Sequence, residues 1–295
     1  MITSREEKIV PSGLPTEARE NETVGETVVI SSSNSWAALD LKSLWAYREL
    51  FYFLALRDIK VRYKQTFLGV TWVLLQPFAT TLVFTVLFSR FGQTETLGVP
   101  YALFAFSGFV VWSFVNSAVT YSSNSLVNHT SLITKVYFPR LAVPTAAVAA
   151  NLLDLLIGLL SLTAAMIFFA PVITWKIIFA PFFLVLILIL TLGVGVLLSS
   201  LNVKYRDIKQ LLPFALQLWL FVTPVFYSLR LLPENLRWFW KLNPMSGALE
   251  GFRSALFGQE FDLSAIAFSV VVTIAVCLFA LFVFRRMEDD FADVI

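Results

Sequence analysis

The residue types that most often carry out chemistry are scarce in this chain. It contains one histidine, His129, and one cysteine, Cys277, which leaves no ligand set for a metal ion and no pair of nucleophile and base. The P-loop pattern G-x-x-x-x-G-K-[ST] does not occur, so this chain has no P-loop that could bind the phosphates of a nucleotide. We therefore do not expect catalysis by this chain alone.

One carboxylate is unusual because it falls inside an apolar run. Asp154 lies three residues after Asn151, a spacing that puts both side chains on one face of a helix. A charge inside a membrane is costly and needs partners. A proton relay would require further ionisable groups, and the other apolar runs offer none. The pair is predicted to bind a neighbouring helix through hydrogen bonds.

The composition indicates that the elements around these residues lie in a membrane. Of 295 residues, 58% are hydrophobic and 14% are charged, whereas a soluble domain carries about 25% charged residues. A membrane-spanning helix needs about 20 apolar residues, and six runs are predicted as spans. They are residues 67–89, 101–119, 141–169, 177–200, 211–229 and 263–284. None alternates polar with apolar residues as a barrel strand does, so the predicted fold class is an all-α membrane protein.

The distribution of basic residues orients the predicted spans. Segments on the side of the N-terminus hold eleven basic residues and those on the opposite side hold five. Because positive charge resists translocation, both termini are predicted to be cytoplasmic. Residues 1–35 are predicted to form a disordered cytoplasmic tail, residues 65–285 the six-span domain and residues 286–295 a cytoplasmic C-terminal tail. A net charge of +2 argues against nucleic acid as a partner.

Residues 36–64, before the first span, carry a two-sided pattern. On a helical wheel, Lys60 and Lys64 lie on one side and Phe51 and Ile59 on the other. Such a helix is predicted to lie in the plane of the lipid headgroups. The alternative is a simple lead-in to the first span.

Residues 230–262 are too apolar for a simple outside loop. Pro244 and Gly247 are predicted to divide them into two short helices that dip into the outer leaflet, where Trp238 and Trp240 would lie at the interface. Non-helical backbone at that depth must lie against protein or a wet cavity, so these helices are predicted to close a pathway. An aromatic anchor without a gating role is the alternative.

Two cytoplasmic segments carry predicted helix caps. Ser123 and Asn124 are predicted to cap a short helix that runs to Lys135. Asp207 and Gln210 form a predicted capping box at the start of the fifth span.

Seven short motifs follow one another in a distinctive order. They are RDIKVRYK at 57–64, LG at 68–69 followed by Trp72, LQP at 75–77, LITKVYFPR at 132–140, NVKYRDI at 202–208, TPV at 223–225 and NPM at 243–245. Through them, residues 40–285 resemble the ABC-transporter type-2 permeases that export polysaccharides, the Wzm, KpsM and TagG group. The segment before residue 36 is longer than that group usually carries.

The resemblance implies a homodimer that works with two copies of a separate cytosolic nucleotide-binding ABC subunit. The cargo would be a glycan of the O-antigen, capsule or teichoic-acid type, linked to undecaprenyl diphosphate and exported across the bacterial cytoplasmic (inner) membrane through a channel between protomers. ATP and Mg would be bound by the partner ATPase, so the resemblance implies no cofactor in this chain.

The resemblance also implies roles for particular residues. A helix over 123–137 would dock into the ATPase through Ser125, Leu126, His129, Leu132 and Lys135. Basic side chains at the cytoplasmic mouth would attract the carrier diphosphate, namely Arg62, Lys64, Lys135 and Arg140. Aromatic rings would line the sugar path, namely Trp72, Phe84, Phe88, Phe104, Trp112 and Trp219. The outer gate would include Trp238, Trp240 and Phe252.

Two other functions stay open at this point, and a third is disfavoured because the residues it needs are missing. A type-2 ABC exporter could carry a different cargo, such as a lipid or a drug. A gradient-driven secondary transporter would need paired ionisable groups or repeated broken helices. A membrane-bound sugar transferase would need acidic or histidine residues converging at one membrane face.

Overall fold

The computed structural model describes residues 47–64, 71–90, 98–135, 138–169, 174–229, 234–288 and 291, without the side chains of 89, 90 and 234–237. Within these residues the secondary structure is helical. The α-helices are α1 (Arg48–Tyr63), α2 (Thr71–Arg90), α3 (Tyr101–Asn128), α4 (Thr130–Lys135), α5 (Ala142–Ala150), α6 (Leu152–Phe169), α7 (Ala180–Lys204), α8 (Ile208–Val222), α9 (Glu234–Lys241), α10 (Pro244–Phe257) and α11 (Leu263–Glu288). A 3-10 turn, Trp175–Phe179, leads into α7.

Five helices of the described part are long and apolar enough to cross a membrane. They are Thr71–Phe88, Tyr101–Asn128, Ala142–Phe169, Trp175–Lys204 and Leu263–Glu288. The all-helical membrane fold is therefore confirmed. The predicted fifth span, 211–229, differs from the others, because α8 has only 15 residues and a non-helical turn follows Val222. A straight helix of 15 residues is about 22 Å long, shorter than the hydrocarbon layer.

The third span is broken, whereas the sequence predicted one continuous helix. Asn151 separates α5 from α6, and its side-chain amide donates to the Ala147 carbonyl at 2.7 Å. This local bond competes with the helical ladder.

Helix α3 forms the centre of the bundle. Most of its residues are buried, and it packs against α2, α5, α6, α7 and α8. Its buried face includes Phe104, Phe109, Trp112 and Phe114. A second, smaller apolar core lies where α1, α4 and the ends of α7 and α11 meet, around Leu126. Helix α3, about 42 Å long, contributes to both cores.

Helix α1 packs against the protein. Leu54 is buried in the smaller core and α1 contacts α5. Phe53 and Val61 are exposed, so the apolar residues do not form one stripe. The part of the predicted helix at 36–46, like the predicted tail at 1–35, lies outside the described residues.

Three local predictions are wrong. Ser123 and Asn124 lie inside α3 and cap nothing, because α3 continues to Asn128. Asp207 is the N-cap of α8 but its side chain makes no capping bond. Gly247 lies within α10, where an added Cβ would come within 2.4 Å of the Ala265 carbonyl oxygen. Its role is close packing of α10 against α11.

The predicted C-terminal tail, 286–295, begins inside α11, which extends to Glu288. Phe291 is buried and its ring packs edge-on against Phe284. At least this part of the segment is therefore anchored in the smaller core. Residues 289, 290 and 292–295 lie outside the described residues.

Candidate functional site

The corner between α3 and α4 contains the residues predicted to contact an ATPase. Ser125 and Leu126 are buried in the last turns of α3, so the predicted surface helix over 123–137 is much shorter. Helix α4 has six residues. Ile133 anchors it in the smaller core, Leu132 is half-buried and Lys135 is exposed.

His129 connects this corner to α1. Its Nδ1 lies 2.6 Å from the Ser125 carbonyl oxygen, to which it donates, so its Nε2 is left as an acceptor for the Arg57 guanidinium. Arg57 also pairs with Asp58 at 2.9 Å. Both ring nitrogens are therefore engaged in holding α1 against the end of α3.

Two of the four basic residues predicted at the cytoplasmic mouth have partners within the protein. Arg62 pairs with Asp154 at 2.6 Å, and Arg140 donates to the Glu288 carbonyl at the end of α11. Lys64 and Lys135 are exposed, and their side chains make no hydrogen bond or ion pair with a described residue.

The Asp154 cluster confirms the predicted hydrogen-bonding role of Asp154 and Asn151. Arg62 donates to Asn151 Oδ1 at 2.9 Å as well as to Asp154, and its guanidinium lies 4.0 Å from the centre of the Tyr121 ring. The Tyr63 hydroxyl donates to the other oxygen of Asp154. Burial and that bond raise the pKa of Tyr63 above its ordinary range. The cluster fastens the end of α1 to the α5–α6 break.

An open groove of about 290 Å³ lies between α2, α3 and α8. Aromatic and apolar side chains form part of its wall, and hydroxyl and amide side chains form the rest. The residues that line it are Gln76, Pro77, Thr80, Phe109, Trp112, Ser113, Asn116, Pro213, Leu216, Gln217 and Leu220. We call it the amide groove.

Three amide side chains line this groove. The side chains of Gln76, Asn116 and Gln217 make no hydrogen bond with a described residue, although the backbone carbonyls of Gln76 and Asn116 accept bonds from threonine hydroxyls. Gln76 and Gln217 are exposed and Asn116 is half-buried. These groups can therefore bind water, a polar ligand or a second chain.

The predicted channel-lining aromatics do not share one environment. Trp72 is exposed and Phe104 is fully buried. Phe84 and Phe88 belong to a ring cluster that includes Phe226. The remaining two, Trp112 and Trp219, meet edge-to-face at 5.7 Å, and Trp112 lines the amide groove.

The TPV and NPM motifs meet in one hydrogen-bonded hub at the end of α8. Asn243 Oδ1 accepts from the Trp219 indole and from the Met245 amide, each at 3.1 Å. The Asn243 amide donates to Thr223 Oγ1 at 2.9 Å. Pro244 occupies the first turn of α10, where its missing N–H costs nothing. The hub joins α8 to α10 and fixes Trp219 beside the groove.

Arg253 is the residue that the sequence analysis missed, having counted it only as a topology charge. It is completely buried in α10 and donates to the Phe104 and Pro224 carbonyls at 3.0 and 2.5 Å, to the Val225 carbonyl and to Ser107. Its guanidinium stacks 3.8 Å above the Phe104 ring. Its place in an apolar run is the only signal in the sequence.

The predicted outer gate residues divide between the two short helices. In α9, Trp238 is exposed and Trp240 donates to the Tyr227 hydroxyl. In α10, Phe252 is buried. Two short helices are therefore present in this segment, but only α9 offers exposed aromatic rings. Lys241 connects α9 to Asp262 through a 2.6 Å ion pair.

Among the described residues, no group of three or more His, Cys, Asp or Glu could hold a metal ion.

Relatives resemble this chain over nearly their whole length. The O-antigen export system permease protein RfbA of Myxococcus xanthus is 27% identical over 256 residues, 86% of this chain and 98% of that protein. The polysialic acid transport protein KpsM of Escherichia coli is 21% identical, covering 80% of this chain and 92% of that protein. The inner membrane transport permease YadH of Escherichia coli K12 is 26% identical, covering 77% and 93%.

One family model matches most of the helical part of this chain. The family described as ABC-2 type transporter matches residues 49–257, which run from the first turn of α1 to the end of α10. Because the match covers more than half of the chain, the protein belongs to the ABC-2 type transporter family.

Proposed function

We propose that this chain is the membrane-spanning subunit of an ATP-driven exporter of lipid-linked polysaccharide. The observation that carries the proposal is the amide groove, in which unpartnered amides stand beside aromatic rings. Sugars present hydroxyls to amides and flat C–H faces to rings, so both halves of the wall suit a glycan. Relatives named for O-antigen export and for transport of polysialic acid, a charged polymer, support a polysaccharide cargo in general.

The carrier would be undecaprenyl diphosphate, attracted at the cytoplasmic side by free positive charge. Lys64 and Lys135 are suited to this role because both are exposed and unpaired among the described residues. Arg62 and Arg140 are less suited, since their guanidinium groups already bind Asp154 and a helix terminus. In this proposal Arg62 and Arg140 stabilise the fold and do not bind the carrier.

Energy would enter through α4. A cytosolic ATPase subunit, which binds ATP and Mg, would contact the exposed side of α4. The buried Ile133 keeps α4 attached to the smaller core. Asn202 donates to the Ser123 carbonyl at 2.9 Å, which ties α7 to the end of α3. A push on α4 would therefore move α3 and α7 together and reach the amide groove. Binding of ATP must favour the moved state for work to be done.

The complex would contain two copies of this chain and two ATPase subunits, with both termini in the cytoplasm of a bacterial cell. The open side of the amide groove would face the second copy, so that two grooves enclose one channel. Helices α9 and α10 would close that channel on the outer side.

Two observations weigh against the alternatives. A drug or lipid cargo would gain little from free amides, since it offers few hydroxyls to bind them. A gradient-driven relay would need Asp154 to be free, and Asp154 is held by Arg62 and Tyr63.

The test is to express the chain with its ATPase partner in cells that lack their own permease and to measure surface glycan. Ser113→Trp fills the amide groove and is expected to abolish export while the complex still assembles and hydrolyses ATP. Ala102→Trp, at an exposed position near the start of α3, is the control and is expected to export. Normal export by Ser113→Trp would show that the groove is not the route.

A second comparison tests the cytoplasmic side. Lys64→Ala with Lys135→Ala is expected to lower export several-fold without loss of protein. Arg140→Ala is expected to lower the amount of folded protein instead, because Arg140 caps α11. Unchanged export in the double lysine variant would remove both lysines from the mechanism.

A further inference from the structure

The polar side chains of the amide groove are all uncharged. Among its eleven lining residues, the polar members are amides and hydroxyls, and none is charged. The helices that build it agree with this. Helix α3 has no charged residue, α8 has only Lys209 at its second position, and α2 has only Arg90 at its last. The groove is polar without being ionic.

A wall of this kind distinguishes sugars by charge. An amide can donate to one hydroxyl and accept from another, so Gln76, Asn116 and Gln217 can each match a neutral sugar in either orientation. A carboxylate or phosphate only accepts, and it requires a counter-charge when it leaves bulk water. The described walls supply none.

We propose that the glycan carried by this protein is uncharged along its repeats, and that the amide groove excludes repeats bearing carboxylates or phosphates. The inference rests on the proposed function, because it concerns the same groove. The carrier diphosphate does not contradict it. The diphosphate occurs once in each glycan molecule. Charged repeats, in contrast, would lie in the groove throughout the passage of the glycan.

The experiment compares one polymer with and without its charge. The full chain and its ATPase partner are reconstituted in vesicles with a lipid-linked glycan whose repeats contain a uronic acid. The same glycan after reduction of its carboxyl groups to alcohols is the matched neutral cargo. Translocation is measured as glycan that becomes accessible to a glycosidase on the far side. The neutral form is expected to move at least about tenfold faster, given the penalty for an unpaired charge at membrane depth.

A variant then reverses the preference. Gln217→Arg places a positive charge in the groove and is expected to raise the rate of the acidic form relative to the neutral form by about tenfold. Gln210→Arg is the control, because Gln210 lies two turns earlier on the same helix and outside the groove. It is expected to leave the ratio of the two rates unchanged.

The outcomes separate the two proposals. Equal rates for both glycans in the unaltered protein would overturn the neutral-cargo inference and leave polysaccharide export standing. A shift of the ratio in the Gln210→Arg control equal to that in Gln217→Arg would also overturn it. Failure of both glycans to move, while the complex hydrolyses ATP, would refute the proposed function and this inference with it.

Discussion

Replacing Arg253 by methionine tests whether α10 is fixed to the bundle by one buried side chain. Methionine keeps much of the volume and the unbranched shape, but it removes the charge and all the donors. The change leaves the carbonyls of Phe104, Pro224 and Val225 without the donor from Arg253. It also ends the stacking on the Phe104 ring.

The expected loss follows from those bonds. A buried acceptor left without its donor costs about 1–3 kcal/mol. The Phe104 carbonyl keeps its bond from the Ser107 hydroxyl, so the Pro224 and Val225 carbonyls set an upper range of roughly 2–6 kcal/mol. Removing a buried charge offsets part of this loss of stability, because the charge no longer has to be desolvated. A net loss of about 2–4 kcal/mol in the free energy of unfolding is expected.

The assay is denaturation by SDS in mixed micelles, followed by circular dichroism. Arg253→Lys keeps the charge but cannot direct donors at four acceptors, and it is expected to lose about half as much as Arg253→Met. Arg286→Met is the control, since Arg286 is exposed in the last turn of α11. A loss below about 1 kcal/mol for Arg253→Met, equal to the control, would refute the account of this contact.

Three further changes have expected outcomes. In a double-mutant cycle of Arg62→Gln and Asp154→Asn, SDS denaturation is expected to give a coupling energy of about 1–3 kcal/mol. A coupling energy near zero would mean that their 2.6 Å contact does not stabilise the fold. Gly247→Ala is expected to cost about 1–3 kcal/mol because its Cβ would lie 2.4 Å from a carbonyl oxygen of α11, and a thermal midpoint equal to that of the unaltered protein would contradict this. Burial raises the pKa of Asp262, but hydrogen bonds and the charge of Lys241 outweigh burial and hold it at about 2. Because this folded-state pKa lies below the unfolded value, the stabilisation is present above pH about 4 and disappears as the pH falls to about 2. With a half-exposed side chain, it amounts to less than about 1 kcal/mol. Asp262→Asn is expected to lack this pH-dependent part of the thermal midpoint, and identical pH profiles would refute the assignment.

The positions of the membrane helices could be predicted from the sequence because hydropathy is a local property. A run of apolar residues long enough for the hydrocarbon layer forms a helix whatever its neighbours are, and the predicted runs at 101–119 and 263–284 lie inside α3 and α11. The order of the motifs identified the family for the same reason. A sequence motif is a local property that can be recognised without knowledge of its contacts in the fold.

Helix ends and breaks were predicted less well. Ser123 and Asn124 have the side chains of capping residues, but packing of α3 in the bundle extends that helix past them. At the break, the side-chain oxygen of Asn151 accepts from Arg62, 89 positions earlier in the chain. Competition between a local cap and tertiary packing is not visible in a window of sequence.

The roles of the polar residues were decided by the tertiary structure alone. Arg253 and Arg62 look like topology charges in the sequence, yet one holds α10 through acceptors as far as 149 positions away and the other neutralises Asp154. Gln76, Asn116 and Gln217 come from three helices and form one groove only after the helices pack. The sequence by itself determines which segments must leave water, because that depends on each segment's own composition. Which polar groups then find partners, and which stay free to bind a ligand, depends on distances between segments that only the folded bundle sets.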